Sequence, residues 1–270
     1  MDLLLLREII VAAAAGAAAY TDVKTGLIYD RITYPLIAIG LLLNIFEFNI
    51  STFVIAAAVF AVGYVLYYTG KIGGGDVKLF TGISFVLPFL NSRVFIIDVL
   101  VAAAVIAVVF LSAYYISKYA RKGIKFEENK KSIARAAVIG VAVAVYFFVL
   151  LQAGIVPMQT VSLLALPMVF ALAFLALENG IRKNFFLVHI KVAELEDDDL
   201  IAADEIDAAT KEKIGIGIKG IADADVMRRI KEAGMEELPV YRNLPKFAPF
   251  VLAGVIVVLL FGNQLAGIFS

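Results

Sequence analysis

Lys71-Ile72-Gly73-Gly74-Gly75-Asp76-Val77-Lys78 is a glycine-rich turn that ends in one acid and lies between two long apolar runs. Outward from it, a second acid, Asp22 in Tyr20-Thr21-Asp22-Val23-Lys24-Thr25-Gly26, stands at the end of the first apolar run. An ionisable side chain costs roughly 2.5–3.5 kcal/mol at the middle of a membrane helix, so two carboxyls placed this way mark a functional site. The stretch fixes the fold class only together with the runs that flank it.

Hydrophobic residues make up 62% of the 270 residues, and the mean hydropathy is +0.92. A soluble domain has only roughly 45–50% apolar residues. The composition therefore predicts an α-helical polytopic membrane protein, with about six to eight transmembrane helices at roughly 20 apolar residues each. Lys and Arg total 24, as do Asp and Glu, so the net charge is zero and only the placement of charge is informative. Cysteine is absent, which excludes a disulfide framework, a thiolate metal site and a cysteine nucleophile. With His189 the single histidine, a histidine triad or zinc site is not expected. No cofactor or metal is expected, and nothing suggests nucleic-acid binding. The leucines at 3–6 and alanines at 12–15 imitate a secretory signal, but Met1-Asp2 brings no basic n-region, so a retained helix is expected.

Apolar runs at 3–21, 34–48, 52–69, 77–90, 95–117, 133–152, 157–177 and 247–269 are candidate spans, the second and fourth being short. Along the first, Ala12, Gly16 and Ala19 lie near one helical face, where small residues permit close helix approach or simply face lipid. The expected organisation is a transmembrane bundle at 1–178 with its core at 1–92, a soluble domain at 179–246 and a last helix at 247–270. Lys24, Arg31, Lys71, Lys78, the cluster at 118–135 and every basic residue of the insert fall on the side that holds Asp22; only Arg7 and Arg93 fall elsewhere. Cytoplasmic loops collect Lys and Arg, so the amino terminus is expected outside, with both acids and the insert facing the cytoplasm.

The insert reads as a small α/β unit. Residues 185–192 are apolar and β-prone, and 214–218 alternate with glycine as a second short strand would. Asp223 is the expected N-cap of a helix that ends near Gly234 and buries Val226 and Ile230. The acidic run at 194–207 is either a solvated surface or a docking site for basic peptides.

Two carboxyls close enough to share one proton can work on a peptide bond without a metal or nucleophilic side chain. One takes a proton from water while the other hydrogen-bonds the carbonyl, and the pair titrates as a unit. Gly73, Gly74 and Gly75 tolerate the broken backbone that a membrane-depth loop requires and lower the steric wall beside Asp76, leaving room for an extended substrate. At this point Asp76 has two readings, catalytic acid or cap of the next helix. A phosphate-binding loop is disfavoured because the Gly-Lys-Ser/Thr ending is missing.

Gly73-Gly74-Gly75-Asp76-Val77-Lys78-Leu79 resembles the GxGDxK motif of the prepilin peptidase family of GxGD aspartic proteases, in particular its archaeal preflagellin peptidase branch. The segment from Asp22 through Val23-Lys24-Thr25-Gly26-Leu27-Ile28-Tyr29 to Asp30 resembles the family segment that carries its first acid. The resemblance covers roughly the first third of the chain and implies Asp22 and Asp76 as the catalytic pair. Gly73, Gly74, Gly75 and Lys78 fall on motif positions; Lys78 has a second reading as a snorkelling residue. Asp30 is read as a helix cap. The resemblance further implies removal of short basic leaders from archaellin and type IV pilin-like precursors bearing class III signal peptides, at the cytoplasmic face of the bilayer. Without cysteine, proteolysis alone is expected, not the methylation that bacterial relatives add. The family branch usually has fewer helices, and the region 95–177 holds an extra pair. Presenilin and signal peptide peptidase share the GxGD chemistry, but here the first acid follows Thr21 and no Pro-Ala-Leu triplet occurs in the carboxy-terminal half. A proton-coupled transporter would need repeated broken helices, and 73–76 has no counterpart after Phe95.

Overall fold

The computed structural model describes residues 2–47, 49–196, 199–215, 222 and 224–269. Helix α1 (Leu3–Thr25) starts where the Asp2 side chain accepts the Leu4 N–H and ends at Gly26, whose φ of 77° suits glycine. Its buried residues are Arg7, Val11, Ala15, Ala18, Ala19 and Asp22. Steps of three and four residues put Val11, Ala15, Ala18 and Asp22 on one stripe. Asp22 therefore stands at the end of the helix, as expected, and shares its packing face. Gly16 has open space where a side chain would stand, so the small-residue approach runs through Ala15 and Ala18 instead of Ala12 and Gly16.

Helices α2 (Asp30–Glu47), α3 (Ile50–Tyr68) and α4 (Gly74–Val86) follow, with α4 packed between the other two. The close approach of α2 and α4 depends on glycine: a Cβ at Gly40 would stand 2.5 Å from Phe85, and one at Gly82 would stand 2.7 Å from Leu36. At 13 residues α4 is about 20 Å long, short of the roughly 30 Å hydrocarbon core. The expected span at 77–90 stops early because the chain turns into the hairpin β1 (Phe89–Leu90) and β2 (Arg93–Val94), with Asn91 and Ser92 at φ 51° and 63°. At the same end Arg7 donates to the Val86 carbonyl at 2.7 Å, and Arg93 pairs with Asp98 at 2.7 Å. Both basic residues that depart from the charge bias are thus held by the protein.

Helices α5 (Phe95–Lys122), α6 (Phe126–Gln152) and α7 (Met158–Phe185) complete the central run. α10 (Ala248–Phe269) packs between α1 and α5, and α7 lies against both α5 and α6. Among the described residues α1, α3, α5, α6 and α7 are long and apolar enough to cross a membrane. The protein is a polytopic membrane protein with a small soluble α/β insert. Its main core is built from Val11, Ala15, Leu79, Phe95, Val99 and Val255. At the ends of α5, α6 and α7 the Asn129 amide donates to Tyr119 at 3.0 Å and its oxygen accepts the Gly180 N–H at 2.9 Å.

The insert holds a three-stranded antiparallel sheet, order β3-β5-β4, from β3 (Leu187–Lys191), β4 (Leu200–Ile201) and β5 (Glu237–Tyr241). Helices α8 (Ala208–Ile214) and α9 (Ala224–Glu232) bury Ile214, Val226 and Ile230 beneath it. The structure departs from the sequence reading at three points. α7 continues through Phe185, since the polar residues 178–185 still pack Gly180 and Ile181 against α5. Ile214 ends a helix and not a strand, while residues 216–218 and Asp223 lie outside the described residues. The true central strand is β5, which carries Pro239 opposite His189.

Candidate active site

Asp22 lies in the last turn of α1, 7% exposed. Its Oδ2 accepts the backbone N–H of Ala248, the first residue of α10, at 3.1 Å. Asp76 is the third residue of α4, and its Oδ2 accepts the Gly73 N–H at 3.2 Å. Its Oδ1 is buried and finds no hydrogen-bond partner among the described residues. The Asp22 charge acts on the Asp76 carboxyl, so the fold brings together two acids 54 residues apart (76 − 22). Among the described residues neither forms an ion pair. Asp76 caps its helix with one oxygen, as the cap reading expects, and its other oxygen has no hydrogen bond among the described residues.

The glycine turn sets this geometry. Gly73 is the N-cap residue, extended at φ −76° and ψ 150°. Gly75 is covered by this chain's own loop: a Cβ there would stand 2.8 Å from Ile28 Cβ and 3.0 Å from its carbonyl oxygen. That glycine serves the packing of the loop after Asp22 onto α4, and the room expected for a substrate backbone is not at Gly75. A Cβ at Gly74 would stand 3.5 Å from the Tyr67 ring. Lys78 reaches Asp30, in the first turn of α2, at 2.5 Å and lies 4.9 Å from the Tyr34 ring centre. These two sequence-flagged residues pair with each other and tie α4 to α2.

The amino terminus of α10 was not anticipated as part of the site. Phe247 meets Phe80 edge-on at 6.4 Å, one helical turn beyond Asp76, while Ala248 meets Asp22. The start of α10 and the residue before it therefore touch both acid-bearing helices. The contact with Asp22 is made by a backbone group, so the sequence carried no signal for it.

The acids of the insert are used differently. Arg242 donates to Asp199 at 2.7 and 3.2 Å. Burial pushes the Asp199 carboxyl up, but the Arg242 hydrogen bonds, the Glu196 N–H and the guanidinium charge outweigh it and hold it below its ordinary value. Arg182 pairs with Asp204 and Glu205. The Tyr241 hydroxyl donates to Asp204 at 2.6 Å and is pushed well above its usual range, by burial first and then by Asp204. Asp199, Asp204 and Glu205 are thereby engaged within the fold.

Residues 9–115 match the model of the Type IV leader peptidase family. Over 98 residues the chain is 42% identical to Prepilin peptidase EppA of Methanothermobacter thermautotrophicus, a match covering 33% of this chain and 26% of that relative. The match thus spans about a quarter of that relative's length. No solved structure matches. Both acids, the glycine turn and Lys78 lie inside the family match, and the resemblance to prepilin-type peptidases carried by these motifs is borne out over that segment.

Proposed function

We propose, from the family to which residues 9–115 are similar, that the protein is an aspartic endopeptidase that removes short basic leader peptides from archaellin-like or type IV pilin-like precursors bearing class III signal peptides. The observation that carries this reading is the Asp76 carboxyl, which feels the charge of Asp22 and has one buried oxygen unpartnered, with no cation paired to either acid among the described residues. A buried polar atom without a partner calls for an explanation, and a water shared by two carboxyls supplies one.

In this mechanism one carboxylate takes a proton from the water as its oxygen attacks the scissile carbonyl. The other, protonated, hydrogen-bonds the carbonyl oxygen as it gains charge. The tetrahedral intermediate then collapses, the C–N bond breaks, and a proton passes to the leaving amine. Gly73 and Gly74 let the α4 start come close to the substrate, and Lys78 holds α4 against α2. The charge bias supports placing Asp22, Asp76 and the insert on the cytoplasmic side with the amino terminus outside, where a basic leader would lie.

The test is purified protein in detergent mixed with a precursor carrying a short basic leader before an apolar helix, read by mass spectrometry. Cleavage at the leader boundary, abolished by Asp22→Asn and by Asp76→Asn, is the expected outcome. Cleavage that survives in either variant, or an inactive wild type, overturns the reading.

A further inference from the structure

The bond between Asp22 and Ala248 joins residues 226 apart in sequence, and it involves a group whose position in the helix is informative. The first N–H groups of an α-helix have no acceptor within it and are met by caps, water or ligands. Ala248 opens α10 and is fully buried, so water is not its partner. Its N–H is met by the Asp22 carboxylate, where the positive end of the helix dipole also favours a negative charge. That bond fixes which way the Asp22 carboxyl turns.

The segment leading to Ala248 comes directly from the soluble insert. β5 ends at Tyr241, and residues 242–247 run from the sheet to α10. The near end is held by the Arg242 N–H on the Phe186 carbonyl at 2.9 Å and by the Arg242 side chain on Asp199 and on the Glu194 carbonyl at 3.1 Å. At the far end Lys246 lies over Gly26, one turn past Asp22, and Phe247 lies on Phe80 of α4. Only residues 242–247 separate these anchors, so the sheet and the start of α10 are tied closely along the chain.

We propose that the α10 amino terminus is part of the site: the Ala248 backbone N–H is the positioning group for Asp22, and the segment 242–247 couples that position to the soluble insert. The role assigned to Asp22 rests on the proposed protease reading; the contact itself does not. This gives the insert a task at the site, setting the orientation of one acid of the pair instead of contacting substrate.

The test uses the full chain in detergent and separates the two readings. Ala248→Pro abolishes the N–H and puts a ring carbon where its hydrogen met Asp22, while the helix start is kept because proline is at home in the first turn of a helix; Ala248→Gly keeps the N–H. With a basic-leader precursor, Ala248→Pro loses about 100-fold in kcat with KM little changed, the size expected of a misplaced reacting group, and Ala248→Gly restores cleavage to within a few fold. Equal losses in both variants, or wild-type kcat in Ala248→Pro, overturn the positioning role. Independently of activity, amide hydrogen exchange at Ala248 rises tenfold or more in Asp22→Ala relative to wild type. Unchanged exchange overturns the inference even if the precursor is cut. Faster exchange in a protein that cuts nothing keeps the contact and sinks the protease reading alone.

Discussion

Asp22 and Asp76 of the membrane bundle and the acids of the insert are treated in opposite ways, while Asp30 and Asp98 of the bundle pair with Lys78 and Arg93. Asp199, Asp204 and Glu205 each face an arginine, whereas Asp22 and Asp76 accept only backbone N–H groups and lack an ion pair among the described residues. The insert sits in water, where its ion pairs join strands and helix ends at little desolvation cost. In the bundle a bare carboxyl is expensive, and pairing it with lysine or arginine would offset that cost. Keeping two such acids unpaired and adjacent makes sense where the chemistry needs both. The paired carboxyls of the insert thus stabilise structure, and the proposed reading reserves Asp22 and Asp76 for reaction.

That contrast can be broken most severely at Gly75. Gly75→Val drives a side chain into Ile28, displacing the loop that joins Asp22 to α2, and cleavage of a basic-leader precursor should fall at least about 100-fold. Retained activity would mean that the two acids need not be held together. Next in size is the insert. Asp199→Ala leaves Arg242 without its carboxylate and should cost about 1 kcal/mol, seen as a lower melting transition of the insert. Its pH dependence has a definite sign. Because the folded Asp199 carboxyl is held below its ordinary value, its stabilisation is complete above the unfolded pKa of roughly 4 and fades as pH falls through the folded value. A wild-type insert that loses no more stability than Asp199→Ala between pH 5 and 3 would contradict this. Lys78→Gln breaks a half-exposed pair with Asp30 and should cost about 0.5 kcal/mol in thermal unfolding. Smallest of all, Asp22→Asn and Asp76→Asn should leave the melting temperature nearly unchanged, since the amide oxygen still accepts the N–H of Ala248 or Gly73. A large drop in either would place these acids with the structural ones.

Much of this division is written in the sequence. Runs of apolar residues mark helices because the bilayer core satisfies no backbone group outside them, and α1 to α7 and α10 fall where those runs lie. The two acids are visible because each interrupts or ends such a run. Long-range relations are not visible in the same way. β5 contains Pro239 and Glu237, which argue against a central strand, yet its register with β3 and β4 is fixed by the burial of Leu238 and Val240. Ile214 looks strand-like among glycines but closes α8 against the insert core. The Ala248 bond to Asp22 is made by a backbone group, so no residue type at 248 announces it.

The most direct test of the central claim is a double-mutant cycle on cleavage, comparing Asp22→Asn, Asp76→Asn and the two together with wild type on a basic-leader precursor. A pair that acts as one unit predicts that the double variant is no slower than the slower single variant, because losing either member already removes the shared function. Losses that multiply, or appreciable cleavage left in either single variant, would show two independent acids and contradict the account.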